Sequence, residues 1–183
     1  IVDPLPLLLQ PSPLEVCDDD QDGFAEFTLE DADAGILNGQ TNILLTYHET
    51  QGDADTGASP LMSPYTNTMT AQTVYVRGED ATTGCWSTVT LTLRVQPLPT
   101  PASNPTPIEV CDDDDDGIAA FDLEIRTVEI TNGESNVTIT YHETEGDANS
   151  GANPLTSPYD NVVPNLQTIY VRAENTLTGC YSL

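Results

Sequence analysis

Two acidic stretches hold the residues whose types and spacing are best suited to chemistry. They are CDDDQDG, from Cys17 to Gly23, and CDDDDDG, from Cys111 to Gly117. In both, Asp occupies the first, third and fifth positions after the Cys, and Gly takes the sixth. This is the first half of an EF-hand loop, whose carboxylates bind Ca2+ and whose Gly permits a sharp turn. The predicted calcium ligands are the carboxylates of Asp18, Asp20, Asp22, Asp112, Asp114 and Asp116 and the backbone carbonyls of Phe24 and Ile118.

After the Gly, the acidic stretches depart from an EF-hand. Position twelve is a bidentate Glu in an EF-hand, but it is Leu29 in the first stretch and Leu123 in the second. The residues after Gly23 alternate between apolar and polar, which is typical of a strand rather than of an exiting helix. We therefore expect a calcium loop that leads into a β-strand. The alternative is an acidic, solvated turn that holds no specific ion.

A second group of oxygen donors begins in the sequence YHET, which occurs in both halves of the chain. These donors either complete the coordination of the acidic stretches, form a second calcium site, or belong to a solvated acidic loop. They are Glu49, Asp53 and Asp55 in the first half and Glu143, Asp147 and Asn149 in the second.

The sequence contains two histidines, His48 and His142, as candidate catalytic groups. Triad catalysis requires a nucleophile and an orienting acid around the imidazole, and no spacing in the sequence marks either one. We expect outward-facing strand histidines that form local hydrogen bonds, and a protein that is not an enzyme.

The charge balance excludes some classes of partner. The sequence has 30 acidic residues against four basic ones, all of them Arg, and its formal net charge is −26. Nucleic acids and anionic membrane surfaces both require basic residues, so neither is an expected partner. The sequence has no apolar run long enough to span a bilayer, so we expect no membrane insertion.

The four cysteines fall at matching places in the two halves of the chain. Regularly placed cysteines in an acidic, strand-rich chain indicate an oxidising, extracellular setting. The spacing predicts one disulfide within each half, Cys17–Cys85 and Cys111–Cys180, and the alternative is pairing across the halves. Each predicted bond closes a long loop, which stabilises a domain by about 4 kcal/mol in the chain-entropy model.

An internal repeat organises the whole chain. LEVCDDDQDG returns as IEVCDDDDDG, TYHETQGDAD as TYHETEGDAN, and QTVYVRGEDATTGCWS as QTIYVRAENTLTGCYS. Pro-rich segments precede both copies. We therefore expect two domains, residues 1–97 and 98–183, joined by a Pro-rich linker. Because Leu183 aligns with Thr88, we expect the second domain to lack the counterpart of the strand Val89 to Val95.

The apolar residues recur with the period of strands. Val89, Leu91, Leu93 and Val95 alternate with polar residues most clearly, and a short helical turn is expected between Glu30 and Leu37. Turn-forming Gly, Pro, Asn and Asp lie between the strands. The sequence thus predicts an all-β chain, with two tandem Ig-like antiparallel β-sandwich domains of about seven strands each.

The ordered set of motifs resembles a known family. The CDDDxDG loop, the YHET block and the YVR…TGC ending are similar to tandem calcium-binding Ig-like repeats of very large secreted surface adhesins. Those proteins occur in Bacteroidetes, especially flavobacteria, and are associated with type IX secretion. The resemblance implies an extracellular location, bound Ca2+, and an adhesin-like or fibre-forming role.

These observations favour a structural repeat of an extracellular surface fibre or adhesin, stabilised by calcium and disulfides and assembling head-to-tail with copies of itself. A strand donated by residues 1–9 of a neighbouring copy is one expected contact, since an open sheet edge invites pairing. The alternative is a carbohydrate-binding module of a larger secreted protein, which requires an exposed aromatic platform. A host-surface or glycan ligand is a possible partner in either case. Asn136 lies in an N-glycosylation sequon.

Overall fold

The computed structural model describes residues 2–183, and the chain divides into two compact units, Ile1–Pro97 and Leu98–Leu183. Strands in sheets dominate both units, and the helices are short. The predicted two-domain, all-β fold is confirmed. Among the described residues, no helix is both long and apolar enough to cross a membrane.

Unit 1 contains six strands and two short α-helices. In chain order these are β1 (Leu14–Asp18), β2 (Glu26–Phe27), α1 (Asp33–Leu37), β3 (Ile43–His48), α2 (Gln51–Thr56), β4 (Tyr65–Thr66), β5 (Ala71–Asp80) and β6 (Trp86–Pro97). A 3-10 turn, Leu29–Ala32, precedes α1. The helical turn expected between Glu30 and Leu37 is therefore present.

Unit 2 repeats most of this order with shorter strands. It contains β7 (Ala120–Phe121), α3 (Thr127–Thr131), β8 (Val137–His142), α4 (Glu145–Ser150), β9 (Tyr159–Asp160), β10 (Tyr170–Asn175) and β11 (Tyr181–Ser182). A 3-10 turn, Leu123–Arg126, precedes α3.

The sandwich of unit 1 packs a large sheet against a small one. The large sheet has the order β1-β6-β5-β3, and the small sheet pairs β2 with β4. Buried Val74, Val76, Leu91 and Leu93 from the large sheet meet Phe27 and other apolar residues of the opposite layer. The prediction that Val89, Leu91, Leu93 and Val95 share one face of β6 is therefore confirmed, because these side chains all pack in one core.

One pairing in this sheet differs from the predicted antiparallel arrangement. β1 runs parallel to β6, with Leu14 opposite Leu93 and Asp18 opposite Pro97. β5 pairs antiparallel with both β6 and β3. The period of a strand reveals which face is buried but not which neighbour it pairs with, so the sequence alone could not reveal the parallel pair.

Helix α2 follows the YHET block and was not predicted. Its N-cap residue, Thr50, accepts a hydrogen bond from the Asp53 N–H, and the helix ends at Gly57 in the left-handed conformation, with φ 71°. Side-chain capping and a terminal Gly are common signals of helix ends. The helix is a single short stretch of six residues, too short for its period to stand out in the sequence.

The segment before β1 belongs to unit 1. Pro6 is buried, Leu8 packs against the core, and the Leu9 N–H donates to the Ile36 carbonyl at 3.0 Å. The expected donation of residues 1–9 to another copy is therefore not supported, because Pro6 and Leu8 already pack within unit 1 and the Leu9 N–H is bonded there; Ile1 itself lies outside the described residues. In unit 2, Ala102 makes the corresponding bond to the Ile130 carbonyl.

Candidate metal loops and cysteine sites

The first acidic stretch forms a loop directly after β1. The Asp18 carboxylate accepts hydrogen bonds from the N–H groups of Asp22 (3.1 Å) and Gly23 (3.0 Å), and Asp22 accepts from Phe24 (2.7 Å). Gly23 has φ 84°, a conformation that favours glycine. The chain therefore folds around its own carboxylates and brings their oxygens to one side of the loop.

The second acidic stretch repeats this geometry. Asp112 accepts from the Gly117 N–H at 2.7 Å, and Asp116 accepts from Ile118 at 2.7 Å. The Gly117 N–H, followed by the other N–H groups of the loop, lowers the pKa of Asp112 below its ordinary value. The two loops, which differ in sequence only at Gln21 and Asp115, thus adopt one conformation.

Each loop gathers the three carboxylates that the sequence singled out. In the first loop Asp18, Asp20 and Asp22 each place a carboxylate oxygen within 4.8 Å of the others, and in the second loop Asp112, Asp114 and Asp116 do the same. All the side-chain donors are oxygen, as a hard cation such as Ca2+ prefers. Negative oxygens this close repel one another, and a bound cation relieves that repulsion. The N–H groups of Phe24 and Ile118 face these loops, and a role for their carbonyls as ligands stays a prediction.

A buried Asn supports each loop, and sequence reasoning missed it. The Asn67 side-chain carbonyl accepts from the Ala25 N–H at 2.7 Å, and its amide donates to the Gly23 and Met69 carbonyls. Asn161 makes the same three kinds of bond in unit 2. The signal was available, because an Asn follows the Ser-Pro-Tyr motif at the same distance in both copies.

The predicted oxygen donors of the second group each form a separate local hydrogen bond. Glu49 accepts from the Tyr65 hydroxyl, Asp53 from the Thr50 hydroxyl, and Asp55 from the Gln51 amide. In unit 2, Glu143 and Asp147 have the equivalent partners Tyr159 and Thr144, and the Asn149 amide donates to the Glu145 carbonyl. Within residues 2–183, these side chains are not among the groups placed to share a metal ion.

The histidines are structural and lie inside the protein. His48 is fully buried, its Nδ1 lies 2.7 Å from the Ala58 carbonyl, and its Nε2 lies 2.9 Å from the Thr46 hydroxyl. Because a carbonyl only accepts, Nδ1 carries the proton and donates. The prediction of an outward-facing histidine is wrong, and the prediction of local hydrogen bonds is right. His142 has the equivalent partners.

An arginine joins three elements in each unit. Arg77 Nη1 donates to the Ala54 and Asp55 carbonyls at the end of α2, and its other nitrogens bind Glu79 at 2.8–3.0 Å. Its guanidinium lies 4.2 Å from the centre of the Trp86 ring. In unit 2 Arg172 lies 3.5 Å from the Tyr181 ring. In each unit the guanidinium therefore covers one face of an aromatic ring.

The cysteines are not paired as predicted. Cys17 and Cys180 are disulfide-bonded, whereas Cys85 and Cys111 are free thiols. The structure therefore does not contain the predicted bonds Cys17–Cys85 and Cys111–Cys180.

The geometry of β6 explains this result. Cys17 is in register with Gln96 near the end of β6, whereas Cys85 directly precedes the first residue of that strand. A strand rises about 3.3 Å per residue, which places the two cysteines of unit 1 roughly 35 Å apart. Disulfide-bonded cysteines have Cα atoms less than about 7 Å apart. A unit with this topology cannot form the internal bond, and sequence spacing did not reveal the topology.

Comparison with known proteins gives one family. The pattern of the Flavobacterium inter-domain disulphide bond domain matches residues 13–99 and, a second time, residues 107–183. No curated protein and no solved structure shows a significant match to the chain.

Proposed function

Because the chain belongs to the Flavobacterium inter-domain disulphide bond domain family, as two tandem copies, we propose that it is a non-enzymatic structural repeat of an extracellular surface fibre or adhesin. Disulfides join neighbouring domains into a head-to-tail array. Calcium ions in the acidic loops hold each domain end rigid, and the large negative charge keeps the fibre soluble.

The observation that carries this proposal is the pattern of cysteines. In unit 1 one cysteine lies at the end of the domain where the chain leaves, and the other lies in the turn at the opposite end. The two cysteines of such a domain are too far apart to bond to each other, so each forms a disulfide with a different neighbouring domain. The early cysteine of a domain is Cys17 or Cys111, and the late cysteine is Cys85 or Cys180. In an isolated pair of domains, one early and one late cysteine then form a disulfide, and the other early and late cysteines are free thiols. Cys17 and Cys180 are bonded and Cys85 and Cys111 are free, which is this pattern.

In the proposed array, the early cysteine of each domain bonds to the late cysteine of the domain that follows it. Cys85 then forms a disulfide with the domain that precedes unit 1, and Cys111 forms one with the domain that follows unit 2. The environment of Cys17 suits such a link, because it lies one residue before the first ligand of a calcium loop. A bound ion there orders the backbone that presents the sulfur.

Peptide mapping of the protein, alkylated without reduction, tests the proposal. We expect one disulfide peptide that joins Cys17 to Cys180, with alkylated Cys85 and Cys111. The variants Cys85→Ser and Cys111→Ser serve as matched controls and should leave that peptide unchanged. Recovery of Cys17 linked to Cys85, or of four free thiols from protein made under oxidising conditions, would contradict the proposed array.

A further inference from the structure

The turn that carries the late cysteine has the same hydrogen bonds in both units. In unit 1, the Asp80 N–H donates to the Cys85 carbonyl at 2.9 Å, and the Gly84 N–H donates to the Asp80 carbonyl at 2.8 Å. The Cys85 N–H donates to the Thr83 hydroxyl at 3.3 Å. The corresponding bonds around Cys180 in unit 2 are 2.8, 2.8 and 3.2 Å long. The three distances therefore agree between the two turns to within 0.1 Å.

One of these turns holds a thiol and the other holds a disulfide. Cys85 is free, whereas Cys180 is disulfide-bonded. The turn with the free thiol thus already has the hydrogen bonds of the turn with the disulfide. A site that is ordered before it binds loses less conformational freedom when the bond forms. The turn around Cys85 is therefore preorganised for a disulfide.

A stacked arginine fixes the residue that follows the cysteine. Trp86 begins β6 directly after Cys85, and the Arg77 guanidinium lies 4.2 Å from the centre of its ring. Arg77 is itself held by two carbonyls of α2 and by Glu79. Successive side chains of a strand point to opposite faces. A ring held against the arginine therefore also fixes the direction of the cysteine before it.

Unit 2 has the same stack beside its bonded cysteine. The Arg172 guanidinium lies 3.5 Å from the centre of the Tyr181 ring, and it donates to the Ala148 and Asn149 carbonyls of α4. The aromatic residue is Tyr here and Trp in unit 1, while the arginine is the same in both. The shared feature is a planar ring on which a guanidinium can stack.

We infer that Arg77 and Arg172, through the rings that they hold, are positioning residues for the disulfide of the late cysteine. The turn, the ring and the arginine form a preformed site whose ligand is the early cysteine of another domain. The identity of that domain rests on the proposed function. The role of the stack does not, because Cys180 is bonded in this chain.

Equilibration of the full chain with glutathione buffers tests the inference at the existing bond. The substitutions Cys85→Ser and Cys111→Ser remove the free thiols from all samples. Two glutathione thiols supply the two electrons that break the S–S bond and leave as one glutathione disulfide, while Cys17 and Cys180 become thiols. The squared thiol concentration divided by the disulfide concentration, at half reduction, gives the effective concentration of the two cysteines. Alkylation and peptide mapping measure the reduced fraction.

Tyr181→Leu removes the ring, and Tyr181→Trp supplies the ring of unit 1. We expect the effective concentration to fall at least about threefold in Tyr181→Leu, since a stack of this kind contributes a factor of that order, and to be retained in Tyr181→Trp. Thr178→Val removes the hydroxyl that accepts from the Cys180 N–H and should lower it about twofold or more. The matched control Trp86→Leu makes the equivalent change in unit 1 and should leave it unchanged.

Hydrogen exchange in peptides of β8 and β10 shows whether unit 2 remains folded; if Tyr181→Leu unfolds it, Thr178→Val decides. An effective concentration in these two variants equal to that of the parent protein overturns this inference and leaves the disulfide array intact. An equal loss in Trp86→Leu also overturns it, because the effect then reflects general destabilisation. Absence of a peptide that joins Cys17 to Cys180 in the parent protein overturns both this inference and the proposed function.

Discussion

At the scale of residues, the carboxylates of each acidic loop have two different roles. Asp18 is occupied by backbone N–H groups and shapes the turn, whereas Asp20 makes one long contact, at 3.3 Å to the Asp22 N–H. Asp19 lies between them, outside the group of oxygens that come together. Replacing Asp20 therefore removes a proposed calcium ligand with little effect on the loop, and Asp19 offers a control of equal charge.

We predict that millimolar Ca2+ raises the thermal midpoint of the protein relative to EDTA, because an ion that binds only the folded state stabilises it by mass action. A concentration of 100 times Kd corresponds to about 2.7 kcal/mol. Asp20→Asn should reduce the share of this increase that comes from unit 1, and Asp19→Asn should retain it. Calorimetry in the two buffers measures the difference. Equal midpoints with and without calcium in the unmodified protein would remove the calcium loops from the proposed function.

The second acidic loop gives a prediction about thermal stability at low pH. The Gly117 N–H, the strongest of several, holds the pKa of Asp112 below 3.8 in the folded protein. A carboxyl with a lowered folded-state pKa contributes stability that is complete above its unfolded value and disappears as the pH falls through the folded value. In calcium-free protein, Asp112→Asn should therefore weaken the dependence of the thermal midpoint of unit 2 on pH below about 4. Asp113→Asn retains Asp112 and should follow the unmodified protein; identical profiles for all three proteins would contradict the assignment.

At the scale of elements, the sequence predicted which face of a strand is buried better than it predicted which strands pair. The alternation of Leu91 and Leu93 with threonines predicted which side of β6 is buried, because side chains along a strand point to opposite faces. The same pattern contains no information about the neighbouring strand, so the parallel β1–β6 pair and the position of Cys17 relative to Cys85 stayed hidden. The carboxylates of the acidic loops were predictable for the opposite reason, since their contacts lie within a few residues along the chain.

The segment before β1 extends the sandwich beyond its strands. A Cβ atom on Gly78 would lie 2.6 Å from a Leu8 methyl carbon, so Leu8 packs directly against the β5 backbone. Leu7, its neighbour, is 68% exposed. Two leucines adjacent in sequence thus differ in burial and provide a matched comparison.

We predict that Leu8→Ala destabilises unit 1 by about 1–3 kcal/mol, through lost burial and the cavity that remains. Leu7→Ala should change the free energy of unfolding by less than about 0.5 kcal/mol, because the side chain is largely in water. Urea unfolding of both variants measures the difference. Equal effects of the two substitutions would mean that the segment is not held against unit 1 in solution.

At the scale of the whole molecule, a unit with cysteines at opposite ends has a direction. In the proposed array the same thiol cannot serve both neighbours, so contacts between copies would be heterologous and would not close into a symmetric dimer. A heterologous contact that repeats produces a linear array. The two free thiols of the chain, Cys85 and Cys111, then behave as a complementary pair.

We predict that mild oxidation of the concentrated protein produces a series of covalent species larger than dimers on non-reducing gels. Cys85→Ser and Cys111→Ser should each stop at dimers, because one free thiol remains per chain. A mixture of the two variants should form the mixed dimer at least about tenfold faster than either homodimer, if head-to-tail contact raises the effective concentration of the two thiols. Equal rates for the three dimers would indicate random collision.

The parallel pairing of β1 with β6 also determines how the domain resists mechanical load. A force applied along the chain pulls Leu14 at the start of β1 and Pro97 at the end of β6 in opposite directions. The two strands are joined along the whole of β1, from Leu14↔Leu93 to Asp18↔Pro97, and because they run parallel, this tension acts on all of those pairs in shear. An antiparallel pair pulled from adjacent ends would instead unzip one bond at a time. A surface tether built from such domains should therefore extend only at high force, when the pairs between β1 and β6 break together.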